Sequence, residues 1–477
     1  MIGGETNLGR RNNWGAGMAV DAAVRVDAGA DGATSSGPER AILAAVDISR
    51  RTTAARYGRS ETLPVAESLA ELERLSTTAG AEVVSTVVQR LEHPEPSTFF
   101  GQGKVEELRE LRLEHRADLV IFDDELTPTQ QRNLEKGVGC KIVDRTALIL
   151  DIFAQRARTR EGLYQVELAQ LQYLLPRLSE LWVQFSKLGG ASSGGGGGGR
   201  IATRGPGETQ LEVDRRAIRE RIAMLKERIG DVSDHRHRYR ERRRQDGIPV
   251  VALVGYTNAG KSTLLHHLSG ADILVEDKLF ATLDPTTRRI TLPRGRQVLL
   301  TDTVGFIQRL PTSLVASFRA TLEEIDQADV LIHVVDARSP AMPAQIEAVG
   351  QTLDALQIQA KPIVTAFNKV DRLTPDECRA LEVGRFPNPV PIAAAHGTGI
   401  RDLLGVVEAI LDEQEGAVEV SALLPYTSGA LLHAFRERGT ITSEAYEPEG
   451  TLVTGTLPRR HMDAFLPFLV EGRAAPR

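Results

Sequence analysis

GYTNAGKS at residues 255–262 stands directly behind the apolar run IPVVALV at 248–254 and directly ahead of TLLHHL at 263–268, and that order decides the fold of the surrounding domain. A buried strand runs into a glycine-containing loop, which opens a helix. Gly255 and Gly260 free the backbone to curl, so that the N–H groups along Tyr256, Thr257, Asn258 and Ala259 can surround phosphate oxygens. The helix N-terminus adds a favourable dipole. Lys261 is spaced to bridge the β- and γ-phosphates of a nucleotide, Ser262 offers a hydroxyl to Mg²⁺, and Thr263 completes the loop. The bland reading, an ordinary strand-to-helix turn, does not require this set of fixed positions.

A phosphate loop does not choose a base. Asn368-Lys369-Val370-Asp371, immediately after IVTAF at 363–367, supplies the choice. The Asp371 carboxylate can accept from both the ring N–H and the exocyclic amine of guanine, whereas adenine presents no such pair of donors. Asn368 would tie this segment to the phosphate loop, the Lys369 stem would cover the base, and a backbone amide near Ala393, Ala394 or Ala395 would approach it. Asp302-Thr303-Val304-Gly305 ends the strand-like run QVLLT; Asp302 is placed to hold Mg²⁺ through water, and the Gly305 amide to meet a γ-phosphate.

Between these motifs lies FATLDPTTR at 280–288, a first switch segment running from Phe280, Ala281, Thr282 and Leu283. Thr286 is the favoured threonine for Mg²⁺ and the γ-phosphate, with Thr287 as the alternative. Loss of the γ-phosphate would release both switch segments. Phe306 occupies the position where a Ras-type GTPase orients water with a glutamine, so intrinsic hydrolysis is expected to be slow or to use another group. Asn258 is a candidate oxygen ligand for K⁺ beside the phosphates, and equally a turn residue that tolerates the left-handed region.

Outward from this core, 477 residues predict about three domains. Apolar content of 41% and charged content of 26% fit globular domains with real cores. A net charge of −6 leaves any nucleic-acid contact to a local patch. Cys140 and Cys378 have no metal or redox spacing. No signal pattern is evident, and no apolar run reaches the ~20 residues of a membrane span, so a cytoplasmic location is expected; separately, the chain is expected to be a monomer.

Residues 1–38 read as a flexible tail, 39–145 as a small parallel α/β domain, and 146–246 as a long helical hairpin with a Gly-rich loop at 189–200. In detail, one long helix is expected over 146–188 and a second over 208–244. Residues 247–415 read as a P-loop, doubly wound α/β domain, and 416–477 as a small α+β domain ending in a helix. HRHRYRERRR at 235–244 makes Arg236, Arg238, Arg240, Arg242, Arg243 and Arg244 candidate RNA contacts; the alternative is a solvated helix face balanced by Glu220, Glu227 and Glu241.

FFGQGKVEEL at 99–108, DDELTPTQQRNLE at 123–135, the long stretch DRTALILDIFAQRARTREGLYQVELAQLQYLLPRL at 144–178, RGPGETQLEVDRR at 204–216, DTVGFIQRLP at 302–311 and LPYTSGALL at 424–432 together closely resemble the HflX family of GTPases, over nearly everything after residue 40. The resemblance implies GTP hydrolysis to GDP, docking on the large ribosomal subunit (50S) and its rRNA, and a part in splitting stalled or hibernating ribosomes under stress. It also makes Phe306 an expected substitution. Ala393-Ala394 departs from the family's Ser-Ala and removes a hydroxyl. Two other functions stay open: a GTP switch that recruits a non-ribosomal protein, and a separate nucleotide-dependent RNA-remodelling activity of the first domain, for which Gly101, Gly103 and Lys104 are the local hint.

Overall fold

The computed structural model describes residues 37–48, 64–188, 206–245, 248–270, 279–280, 286–308, 324–358, 361–381 and 383–470 of the chain. The expected tail up to residue 36 and the glycine run at 189–200 lie outside the described residues.

The first domain is built in the order β1 (Arg40–Ile48), α1 (Val65–Ala79), β2 (Glu82–Leu91), α2 (Gln102–His115), β3 (Leu119–Phe122), α3 (Pro128–Val138) and β4 (Lys141–Asp144). Its sheet has the order β2-β1-β3-β4, with every pairing parallel. A strand at the centre of such a sheet is covered on both faces, which is why every residue from Ala41 to Val46 is buried. Period-two alternation sends Leu43 towards Leu72 and Leu75 of α1 on one face, and Ile42, Ala44 and Val46 towards Phe100 and Phe122 on the other. α1 stops at Gly80, whose left-handed conformation (φ 98°) a side chain would resist. α3 starts with a reciprocal cap between Thr127 and Gln130.

The single helix expected over 146–188 is two helices, α4 (Arg145–Arg156) and α5 (Arg160–Leu188). Thr159 makes the break: its hydroxyl accepts from the Gly162 N–H at 3.0 Å and starts a new helix. α5 and α6 (Pro206–Gln245) form the expected hairpin, packed along Leu168, Leu171, Ile218 and Leu225. Its antiparallel sense follows from its polar contacts, since Arg221 forks onto Glu167 at 2.6 and 2.9 Å while the later Arg228 lies over the earlier Tyr164 ring. Arg177 fastens this arm to the first domain. Its guanidinium donates to the Leu126 carbonyl at 2.8 Å and to Asp144 at 3.1 Å, and stacks on Tyr173 at 3.4 Å.

The next domain runs β5 (Val250–Val254), α7 (Lys261–Ser269), β6 (Thr286–Thr291), β7 (Gln297–Asp302), β8 (Val330–Asp336), α8 (Met342–Ala355), β9 (Ile363–Asn368), α9 (Pro375–Ala380), β10 (Pro389–Pro391) and α10 (Ile400–Glu415). Strand order β10-β9-β8-β5-β7-β6 puts the chain on one side of β5 and then on the other, so the crevice of a doubly wound sheet opens at the carboxyl end of β5. β6 lies where the sequence showed no strand-like run, and it takes in the end of the first switch segment, 286–288. It is an antiparallel edge strand with Arg288 and Arg289 exposed and Ile290 buried, a pattern with too little apolar content to announce itself.

The last domain is a sheet β11-β13-β12, made from β11 (Ala417–Leu424), β12 (Thr440–Glu447) and β13 (Gly450–Pro458), with α11 (Gly429–Arg438) packed on it through Phe435. The terminal helix expected there is instead a pair of 3₁₀ turns, 459–464 and 466–468; Pro467 breaks any continuous ladder. Among the described residues no helix is long and apolar enough to cross a membrane.

The first domain's core does not stop at its own boundary. Leu279, Phe280, Val304 and Ile307 join it from the nucleotide-domain side, and the Phe280 ring meets Phe153 edge-on at 4.7 Å.

Candidate functional site

The loop 255–262 leaves β5 with Gly255 at φ 149°, where a Cβ would run into the Val334 carbonyl of the neighbouring strand. Gly260 (φ 102°) likewise leaves no room for a side chain, because the Asn368 amide nitrogen occupies that space. That amide is the clasp of the site. Asn368 Nδ2 donates to the Ala259 carbonyl at 2.8 Å and Asn368 Oδ1 accepts from the Ala394 N–H at 2.9 Å. One buried side chain therefore joins the phosphate loop, the end of β9 and the segment after β10. Ala394 spends its amide on this clasp, Ala393 donates to the Thr398 carbonyl, and Ala395 is exposed beside them.

Lys261 is buried, and its ammonium donates to the carbonyls of Gly255 (3.0 Å) and Tyr256 (2.8 Å). Burial pulls it down to about 8, opposed by Asp302. The Ser262 hydroxyl donates to Asp302 Oδ2 at 2.7 Å. Hydroxyl and carboxylate are hard oxygens of the kind Mg²⁺ takes alongside phosphate and water. Among the described residues no three His, Cys, Asp or Glu side chains converge on one point. Thr263 follows on the first turn of α7.

Of the first switch segment, Phe280 is buried against the first domain, while Ala281, Thr282 and Leu283 lie outside the described residues. Thr286 stands opposite Asp302 in the β6–β7 ladder, and the Thr287 hydroxyl is shared with Thr301 at 3.0 Å. Thr303 is turned back onto the Leu253 carbonyl at 2.6 Å. Val304 joins the first domain's core. A Cβ at Gly305 would come within 2.9 Å of the Thr257 backbone and 3.1 Å of Lys261 Nζ, so this glycine is what lets the segment lie on the phosphate loop.

Phe306 does more than lack a polar end. Its ring is 1% exposed, packed with Ala252, Val254, Ile325 and Leu331, while its backbone bridges to the phosphate loop through Phe306 N to Gly255 O (3.1 Å) and Thr257 N to Phe306 O (2.8 Å). Burying such a ring contributes about 1.5–3 kcal/mol. The side chain is an anchor turned away from the pocket.

The base-side residues are also together. Lys369 (φ 66°) donates to the Asn258 carbonyl at 2.9 Å, and Asn258 itself has φ 60° with its side chain exposed, the left-handed turn that was one of its two readings. Asp371 is faced by His396 at 3.4 Å. α6 continues through the basic run, whose side chains at Arg236, Arg238, Arg240, Arg242, Arg243 and Arg244 lie outside the described ones. In the first domain the Gly101 N–H is taken by Gln89 at 3.0 Å and Lys104 is paired with Glu107 at 2.7 Å, so that hint of a second phosphate site is already satisfied internally. Burial pushes the Cys140 thiol up to about 11, consistent with an inert filler.

Sequence reasoning missed the polar contact beneath the phosphate loop. The Tyr256 hydroxyl donates to Glu71 of α1 and accepts from the Gln308 N–H at 2.9 Å. Arg145 binds the same Glu71, Asp123 at 2.7 Å and the Gln308 carbonyl at 3.3 Å. Burial works against the Arg145 charge, yet Glu71 and Asp123 hold it above its usual range; burial and then Glu71 likewise push Tyr256 up. No local spacing could reveal partners this far apart in the chain.

Residues 66–154 match the family model described as GTP-binding GTPase N-terminal, 156–243 the one described as GTP-binding GTPase Middle Region, and 250–369 the one described as 50S ribosome-binding GTPase. A relative from Caldanaerobacter subterraneus subsp. tengcongensis, named GTPase HflX, is 48% identical over 389 residues, covering 81% of this chain and 86% of its own. Another of that name, from Escherichia coli, is 42% identical over 388 residues, covering 81% and 88%. A solved structure of a GTP-binding protein from the archaeon Sulfolobus solfataricus with GDP aligns at 21% identity and a TM-score of 0.40, over 79% of this chain and 99% of that one.

Proposed function

This chain belongs to the GTPase HflX family and hydrolyses GTP, and from that premise we propose that it does so on the large ribosomal subunit, coupling nucleotide state to ribosome splitting or rescue under stress. The observation that carries the site assignment is the Asn368 clasp, which ties the NKVD segment to Ala259 of the phosphate loop and to Ala394. Asp371 selects guanine, Lys369 covers it, and of the three amides at 393–395 it is that of Ala395 that completes its recognition, those of Ala393 and Ala394 being held by the Thr398 carbonyl and Asn368. Lys261 holds the β- and γ-phosphates. Ser262 and Asp302 hold Mg²⁺, which neutralises phosphate charge when bound, and Thr286 is the favoured threonine to join them from the first switch. K⁺ beside Asn258 would add positive charge at the same place; equal turnover in KCl and NaCl would remove it.

With Phe306 committed to the core, no side chain at that position orients water. Turnover therefore depends on a partner that completes the site, and 50S subunits are expected to raise kcat of the purified chain. The helical arm, with its basic end, is the element offered to rRNA. Sedimentation with 50S subunits in GTP and in GDP, at rising salt, tests the reading. Equal binding in both nucleotides, or no rise in GTPase rate, would overturn it.

A further inference from the structure

The lysine of the NKVD segment has a second acceptor outside the motif. Besides the Asn258 carbonyl, the Lys369 ammonium meets Asp336 Oδ2 at 2.7 Å. Asp336 is the last residue of β8, directly opposite Asn368 in the parallel register, and the next amide, Ala337 N–H, donates to the Asn368 carbonyl at 3.0 Å. Its other oxygen accepts from the Arg338 N–H at 3.1 Å. The carboxylate is thus fixed from behind by backbone while its front faces the lysine. Both side chains are about one-fifth exposed, 22% for Asp336 and 21% for Lys369, so the pair escapes full solvent screening without the desolvation of a deep ion pair.

We propose that Asp336 is a positioning residue for guanine, holding the Lys369 ammonium against the Asn258 carbonyl so that the lysine's methylene stem lies across the base. The proposal rests on the reading of 368–371 as the guanine-recognition segment. Asp336 acts through Lys369 and does not touch the nucleotide. Without it the lysine keeps one acceptor of two, and the ordering of a long side chain falls on the binding step. Phosphate contacts are unchanged, so the loss appears in KM and in nucleotide release, with kcat preserved. The sign is diagnostic. A carboxylate repels a polyphosphate at long range, so if Asp336 acted only through that field, its removal would tighten binding.

Steady-state GTP kinetics and GDP release from the full chain test this with Asp336→Ala and Asp336→Asn. The expected result for Asp336→Ala is a rise of about 3- to 10-fold in KM and in the GDP release rate, with kcat within about 2-fold, and a smaller rise for Asp336→Asn. In a Lys369→Met background, Asp336→Ala should add nothing, because the two residues act as one unit. An unchanged or lowered KM, or an equal effect in the Lys369→Met background, overturns the assignment. Asp371→Asn, measured with GTP and XTP, separates the two levels. If preference does not move to XTP, the guanine reading itself fails; if it moves while Asp336→Ala leaves KM unchanged, the Asp336 proposal alone fails.

Discussion

Tyr256→Phe removes one oxygen from the contact between the phosphate loop and the first domain, and its cost can be worked out from the partners left behind. The ring is 5% exposed and keeps its packing in the variant. What is lost is a donor to Glu71 and an acceptor for the Gln308 N–H. An unmet buried polar group costs about 1–3 kcal/mol. Glu71 retains Arg145, so its share lies at the low end, and the two together come to roughly 2–4 kcal/mol. At about 2–4 °C per kcal/mol for a unit of this size, the unfolding midpoint should fall by at least about 4 °C. Calorimetry and urea unfolding of the nucleotide-free chain would measure it, with Tyr446→Phe, at a tyrosine 73% exposed, as a control that stays within about 0.5 kcal/mol. Hydrogen exchange at 306–308 should speed up in parallel. A shift no larger than the control, with exchange unchanged, would refute the claim that this hydroxyl pins the chain at Gln308, just after the 302–306 segment.

Other expectations follow from charge and burial. Lys261 lies near 8 in the free chain, and phosphate favours its charged form, so GDP binding should take up a proton above about pH 8 and weaken by up to ~10-fold per pH unit there. Calorimetry in buffers of different ionisation enthalpy reads that uptake directly, and zero uptake near pH 8.5 would contradict it. Burial, then Lys261, holds His333 down to about 4 against 6.5. Its folded value lies below its unfolded one, so the unfolded chain binds more protons between them. Stability is therefore whole above about pH 6.5 and falls towards pH 4, by up to ~3.4 kcal/mol for the 2.5-unit difference, 6.5 minus 4. An acid limb that is unchanged in His333→Gln would rule this out. Arg177→Met takes the cation from Asp144, which is fully buried but keeps the Leu126 and Ala147 N–H donors, and should cost about 1.5–3 kcal/mol, with faster exchange along 160–178 as the marker.

What the sequence made legible was local. GYTNAGKS, DTVG and NKVD could be read because each packs its chemistry into a few consecutive residues, and the central strands because full burial makes them continuously apolar. β6 was hidden because an edge strand needs little apolar content, and the α4/α5 break because a lone threonine cap inside a helical pattern carries no break in period. Glu71, Arg145 and Tyr256 could not be associated at all. They are spread over 185 positions, and only the packed domains bring them together. Phe306 was identified by what it lacks, yet its role as an anchor in the core needed the structure.

The arm's fastening has a mechanical consequence. Arg177 grips Asp144, and the very next residue, Arg145, grips the carbonyl of Gln308. α5 runs on past Arg177 to Leu188, about 16 Å of helix, so a force at that end of the arm is felt as a torque at Arg177. That torque is delivered to two adjacent residues at the rim of one sheet. There is almost no backbone between them to stretch, so a load on the arm reaches Gln308, two residues past the 302–306 segment, with little slack to absorb it.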